Sequence, residues 1–308
     1  QQITVGSKTF TESVILGEII SQLARQEGVE VIHKQDIGGT QILWKALLRG
    51  DLQIYPDYTG TISQEILAGQ GVTTDEEIRA ALEVQGIRMS RPLGFNNTYA
   101  IGLKKAIADS LNLRTISDLR TYPELTFGFS TEFMDREDGW PGLRNRYQLP
   151  QGDVFGLEHA LSYQGLESGT LDVTDLYSTD AEIQYYDLKI IADNLQYFPV
   201  YNAVILYRTE LETQAPDVVT ALQKLEGQIS ESAMVAMNAR AKLDKMSETR
   251  VAADFIFDRL GIDTNTQEET PYQAFWRNTI EHLWLVGISL GAAILFAIPL
   301  GIFAAKQP

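Results

Sequence analysis

The chain of 308 residues is 44% hydrophobic and 21% charged, which fits about two globular domains and excludes a disordered chain, a collagen-like repeat and a small disulfide scaffold. Its 25 Lys+Arg against 41 Asp+Glu leave a net charge of −16, which repels phosphate backbones and argues against nucleic acid as a partner. There is no cysteine, and none of the three histidines (His33, His159, His282) sits in an H-E-x-x-H or G-x-S-x-G setting, so thiol chemistry and Cys-bound metals are excluded, the commonest hydrolase templates lack parts, and no metal or cofactor is expected.

In chain order, residues 3–7 read as a strand. Apolar side chains at Val14, Ile15, Ile19, Ile20 and Leu23 behind Thr11, a suitable cap, predict a helix over 11–25. A strand opens at 29–31, Gly38-Gly39-Thr40 turns, and 42–48 is a helix. Residues 52–55 form a short strand that Pro56 is expected to stop, 74–85 an amphipathic helix and 98–103 a strand. This alternation predicts α/β structure with a largely parallel sheet.

A second α/β stretch follows, with strands at 125–129, 171–174 and 190–192 and helices at 140–147 and 156–169. Tyr185 and Tyr186 fall in a helix and read as structural. After the strand YNAVILY (201–207) only helices remain, at 216–230 and 249–260. Two such units imply two lobes, and a cleft between lobes is a preferred place for a ligand.

Residues 263–270 are polar, acidic and without period, as a linker would be. From 283 to 305 the chain reads LWLVGISLGAAILFAIPLGIFAA, 23 residues without a charge. At about 1.5 Å per residue such a helix crosses a hydrocarbon layer of about 30 Å. A buried core helix is the bland alternative, but core helices seldom carry so long an apolar run. Lys306 directly after it places the C-terminal end in the cytoplasm and the N-terminal body outside. The abrupt stop fits the first helix of a longer membrane protein, and the start at Gln1 without a signal peptide fits a mature or trimmed chain.

Candidate ligand groups lie at strand ends, where open α/β sheets dock their ligands. Lys8 follows the first strand in GSKTFTE. Tyr58 and Thr61 lie in YPDYTGT, Tyr99 in LGFNNTYA, Arg136 in FMDREDGWPGL, Tyr177 in DVTDLYSTD and Tyr201 in FPVYNAV. Taken singly, each has a bland reading: a surface ion pair for Lys8 or Arg136, an ordinary turn or a core ring for the tyrosines.

Together, GSKTFTE, GGT, YPDYTGT, LGFNNTYA, FGFSTEFMDREDGWPGL, DVTDLYSTDAEI and FPVYNAV resemble, in order, the osmoprotectant-binding proteins of ABC importers, in the glycine betaine/choline/carnitine branch. The resemblance covers about residues 3–262. Residues 273–308 look like the start of the importer's own permease, as in the subfamily that joins both in one chain. The resemblance implies an α/β, two-lobed periplasmic-binding-protein (type II) fold, followed by a linker and one transmembrane helix. Lobe I would comprise 1–102 and 204–262, lobe II 103–203, the linker 263–282 and the membrane helix 283–305. Hinged closure would turn on crossovers near 101–104 and 198–204.

Carried over by motif, Tyr58, Tyr99, Tyr177 and Tyr201 would cage a quaternary ammonium, while Lys8, Thr61 and Arg136 would hold a betaine carboxylate. Such a head group has no N–H to donate, so ring faces must recognise it, each worth about 0.5–2 kcal/mol. The sequence departs from the family pattern at Thr9, Ser13 and Asn202, which leaves the individual betaine open.

The expected function is capture of glycine betaine or a related compatible solute outside the cytoplasm and delivery to a permease driven by an ATPase subunit. Binders of choline, carnitine or an ergothioneine-like betaine are alternatives, as is a sensor ectodomain. An enzyme using Lys8 as base or Schiff-base amine lacks any partner triad or cofactor motif.

Overall fold

A computed structural model describes residues 2–264, 276, 279–280, 282–291 and 293–294. Contacts divide the chain into a unit of residues 1–264 and a second unit of 265–308.

The first unit holds two five-stranded sheets. In the first, strands β1 (Gln2–Gly6), β2 (Glu30–Lys34), β3 (Ile54–Tyr58) and β4 (Ile87–Met89) are joined by a late arrival, β10 (Ala203–Arg208), in the order β2-β1-β3-β10-β4. The second comprises β5 (Tyr99–Lys104), β6 (Phe127–Ser130), β7 (Val154–Leu157), β8 (Val173–Tyr177) and β9 (Leu188–Ile191), in the order β7-β6-β8-β5-β9. Both sheets are mixed rather than largely parallel: β10 runs against β3 and β4, and β5 against β8 and β9. The cause is connectivity. β5 and β10 are the strands by which the chain enters the other sheet, and they insert in the opposite sense to those laid down by strand–helix–strand crossovers.

Sheet membership also moves the expected division. β5 pairs only with β8 and β9 of the second sheet, so a boundary at 102/103, or a hinge at 101–104, would fall inside a strand. The segments that pass between the sheets are 90–98 and 192–202, and an antiparallel bridge between Asn96 and Asn202 ties them together.

Local chemistry explains further differences. Pro56 does not stop its strand: β3 meets β1 only at Val5↔Ile54, so beyond that point its missing N–H faces no partner there. The helix expected over 156–169 begins at His159, because Val154–Leu157 pairs with β6 instead. The helix expected over 216–230 ends at Gln223, and Ser230 caps a further helix, Glu231–Lys242, through a bond from Ala233 N. At the first long helix, Thr11–Gln26, Phe10 rather than Thr11 occupies the cap position, without a side-chain bond.

The expected linker over 263–282 and membrane helix over 283–305 fall largely outside the described residues. Those described from 282 to 291 are helical, with Leu283, Trp284, Leu285 and Ile288 exposed. Among the described residues no helix is long and apolar enough to cross a membrane.

Candidate functional site

The seven residues singled out in the sequence line one cavity, together with Phe10, Asn97 and Glu132. Strand register assembles it. Tyr99 opens β5 opposite Tyr177 at the end of β8, and Tyr58 ends β3 opposite Ala203, two residues after Tyr201. Lys8 follows β1, Thr61 lies in the turn after β3, and Arg136 follows the short helix Thr131–Asp135. Gly60 permits the close approach, since a Cβ there would lie 2.5 Å from the Tyr201 ring. The site is therefore built from the ends of both sheets and from both connecting segments.

The rings lie close together, tilted or edge-on to one another. Tyr99 lies 5.3 Å from Tyr177 between centroids and meets Tyr201 edge-on at 5.7 Å. Phe10 adds a ring absent from the predicted set, 5.4 Å from Tyr177 and 6.4 Å from Tyr58. It spans the two sheets, because it precedes the first helix yet packs on the end of β8. All four tyrosines have hydroxyls that burial holds well above their ordinary pKa, so they stay neutral phenols.

The cationic side chains are already engaged. Lys8 Nζ donates to Asp57 Oδ1 at 2.8 Å and to Thr40 Oγ1 at 2.9 Å. Arg136 forks onto Asp138, with Nε 2.7 Å from Oδ1, and its Nη1 reaches Glu65 at 3.0 Å and Glu132 at 3.6 Å. Thr61 Oγ1 lies 3.5 Å from the same Nη1. The guanidinium carbon stands 5.5 Å from the Tyr99 ring centroid, and Lys8 Nζ 6.0 Å from that of Tyr58, so two ring faces already carry a cation of the protein. Burial opposes ionisation of Glu132, but Lys8 and Arg136 hold its carboxyl below the ordinary value; at Glu65 burial prevails and pushes the carboxyl up.

Glu12, which the sequence reading passed over, lies behind Tyr58. It is 2% exposed and accepts bonds from Tyr58 Oη at 2.6 Å, Asn97 Nδ2 at 2.9 Å, Asn238 Nδ2 at 3.0 Å and the Thr179 hydroxyl. Burial pushes its carboxyl above the ordinary value against the pull of Thr179, Tyr58 and Asn238. An acidic residue in the first turn of a helix reads as a dipole partner, which is why its place behind the ring was not visible from sequence. Among the described residues no cluster of His, Asp and Glu could hold a metal ion.

A pair of mixed α/β lobes meeting at an aromatic pocket defines the class as a two-lobed periplasmic binding protein. The match extends to the family level: residues 1–258 fit the substrate-binding domain of the ABC-type glycine betaine transport system, and the chain belongs to that family. It is a substrate-binding domain of the ABC-importer type and not an enzyme.

The chain is 33% identical over 266 residues to the ergothioneine transport permease/ergothioneine binding protein EgtU of Helicobacter pylori, covering 84% of this chain but only 48% of that protein, about half its length. It is 31% identical over 264 residues to the carnitine transport binding protein OpuCC of Listeria monocytogenes, covering 82% and 85% of the two chains. A solved glycine betaine/carnitine/choline ABC transporter structure superposes with a TM-score of 0.67 at 29% identity, covering 83% of this chain and 98% of the other.

Proposed function

We propose that the chain captures a quaternary-ammonium compatible solute of the betaine and choline class between its lobes and passes it to a permease. The lobes would divide at the two connecting segments, with 1–98 and 203–262 on one side and 99–202 on the other. Tyr58, Tyr99, Tyr177 and Tyr201 would surround the ammonium, with Lys8, Thr61 and Arg136 at its other end. The observation that carries this proposal is the convergence of all seven on one cavity, with the Tyr99 ring tilted against Tyr177 and edge-on to Tyr201. Closing two lobes on such a cage excludes water, where ring faces attract a cation most strongly. The segment 283–305 would anchor the domain in the cytoplasmic membrane as the first helix of a permease joined in one chain, with an ATPase subunit inside the cell. The relative named as both permease and binding protein supports that arrangement.

A second reading, a binder of choline or another ligand without a carboxylate, has one observation in its favour. Lys8 and Arg136 already serve Asp57, Asp138, Glu65 and Glu132, so their charge is compensated before a ligand carboxylate arrives.

Calorimetry of the full chain in detergent against glycine betaine, proline betaine, carnitine, choline and leucine tests both readings. Binding of a quaternary ammonium without leucine binding is expected. Leucine binding alone would refute the cage, and a preference for choline would select the second reading.

A further inference from the structure

Two of the four cage rings are backed by buried carboxylates. Tyr58 Oη donates to Glu12 Oε1 at 2.6 Å, and Tyr201 Oη donates to Asp138 Oδ2 at 2.7 Å. Both lengths belong to charge-assisted O–H···O⁻ bonds. Among the described residues, the hydroxyls of Tyr99 and Tyr177 make no such bond to a carboxylate; burial comes first in raising both, and a bond with Tyr99 pulls the Tyr177 hydroxyl the other way.

Burial raises the Glu12 carboxyl above its ordinary value, and the donors around it pull the other way, toward the ionised form. Its two oxygens receive four donors, two of them amide NH2 groups that cannot accept a proton. Asn238 Nδ2 also donates to the Thr179 carbonyl at 3.0 Å, which fixes that amide with its NH2 toward Glu12.

A phenol that donates to a carboxylate is polarised. Electron density moves from the O–H bond toward the ring, and the ring face becomes more negative without losing its proton. The attraction of a ring for a cation follows the potential of that face. A tert-butyl group has the size and shape of trimethylammonium but no charge, so it gains nothing from this polarisation.

We propose that Glu12 and Asp138 are specificity-determining residues, set behind Tyr58 and Tyr201 to make those two rings more negative than Tyr99 and Tyr177. The cage then selects for a permanent positive charge and not merely for a tetrahedral apolar head. The proposal rests on the cage reading above and deepens it. It also assigns the four rings unequal shares, which the aromatic cluster alone would not do.

The test uses the full chain in detergent, with choline and glycine betaine as probes and their carbon isosteres, in which tert-butyl replaces trimethylammonium, as controls. Tyr58→Phe and Tyr201→Phe are each expected to weaken the cation by about three- to tenfold while leaving the isostere within about twofold. Tyr99→Phe and Tyr177→Phe, whose hydroxyls donate to no carboxylate, are expected to shift the ratio of cation to isostere affinity less than Tyr58→Phe and Tyr201→Phe do. Glu12→Gln should weaken the cation in the wild-type background and much less in the Tyr58→Phe background, since the bond it acts through is already gone. Because Glu12 joins four partners and its variant is at risk of misfolding, the two Tyr→Phe variants carry the decision alone if it does. Equal effects at all four tyrosines, or parallel losses of cation and isostere, would overturn the proposal while leaving the cage intact. Failure of the wild type to bind any quaternary ammonium would overturn both.

Discussion

Arg136 concentrates the charge of the pocket. It is 5% exposed, yet touches Asp138, Glu65 and Glu132; burial alone would lower its pKa, but Tyr99, Asp138 and Glu132 outweigh it and hold the pKa well above the ordinary value. Removing one partner of a buried ion cluster leaves the others uncompensated in a low dielectric, at a cost of about 3–5 kcal/mol. Arg136→Ala is therefore expected to lower the unfolding free energy by about that amount in urea titrations, and Arg136→Lys by less. The same substitution should move the ratio of betaine to choline affinity toward choline by roughly tenfold if the guanidinium yields a donor to the ligand carboxylate. An unchanged ratio would assign Arg136 to the carboxylates of the protein alone. Sequence could mark Arg136, because the run of charges around it is unusual, but not that Glu65 from a remote segment faces it together with its chain neighbours Glu132 and Asp138.

Among the elements, the helix His159–Ser168 shows how a ring of the pocket is held from behind. His159 stacks on Tyr177 with centroids 4.3 Å apart, and its Nε2 lies 3.0 Å from Asp180 Oδ2, with Asp175 3.7 Å from Nδ1. Burial alone would lower its pKa, but Asp180 and Asp175 raise it to about 10. An unfolded histidine titrates near about 6.5. The folded state thus keeps a proton that the unfolded chain releases, and the resulting stability is complete below about pH 6.5 and is lost as pH rises through about 10. Thermal melts of the wild type should fall over that window, and those of His159→Gln should be flatter there; identical pH profiles would show that His159 is not charged in the fold. The start of this helix was misplaced from sequence because Val154–Leu157 has no strong alternation of its own. It becomes a strand only where β6 offers it a ladder.

At the scale of the molecule, both sheets, the cage and the carboxylates behind it lie within residues 1–264. A piece of those residues is expected to bind the ligand within about twofold of the full chain and to stay monodisperse in plain buffer. The full chain should require detergent, as an apolar run of about 30 Å would. Light scattering and calorimetry on both check this, and aggregation of the shorter piece would show that residues after 264 complete its fold.

The sequence by itself determined what depends on local pattern and on residue type: the α/β class, most strand and helix cores, the apolar character of 283–305 and, through seven short strings in order, the seven residues that share the cavity. Tertiary structure decided what depends on partners remote in the chain. β5 and β10 exchange sheets and run antiparallel, Pro56 survives in a strand because no donor is required of it there, and Phe10 joins the rings across the cleft. Glu12 and Asp138 gain their place behind Tyr58 and Tyr201 in the same way. The physical reason is common to all of these. A periodicity reports which face of a segment avoids water, whereas a hydrogen bond or ion pair between distant segments exists only once the backbone has brought its two ends within a few ångströms.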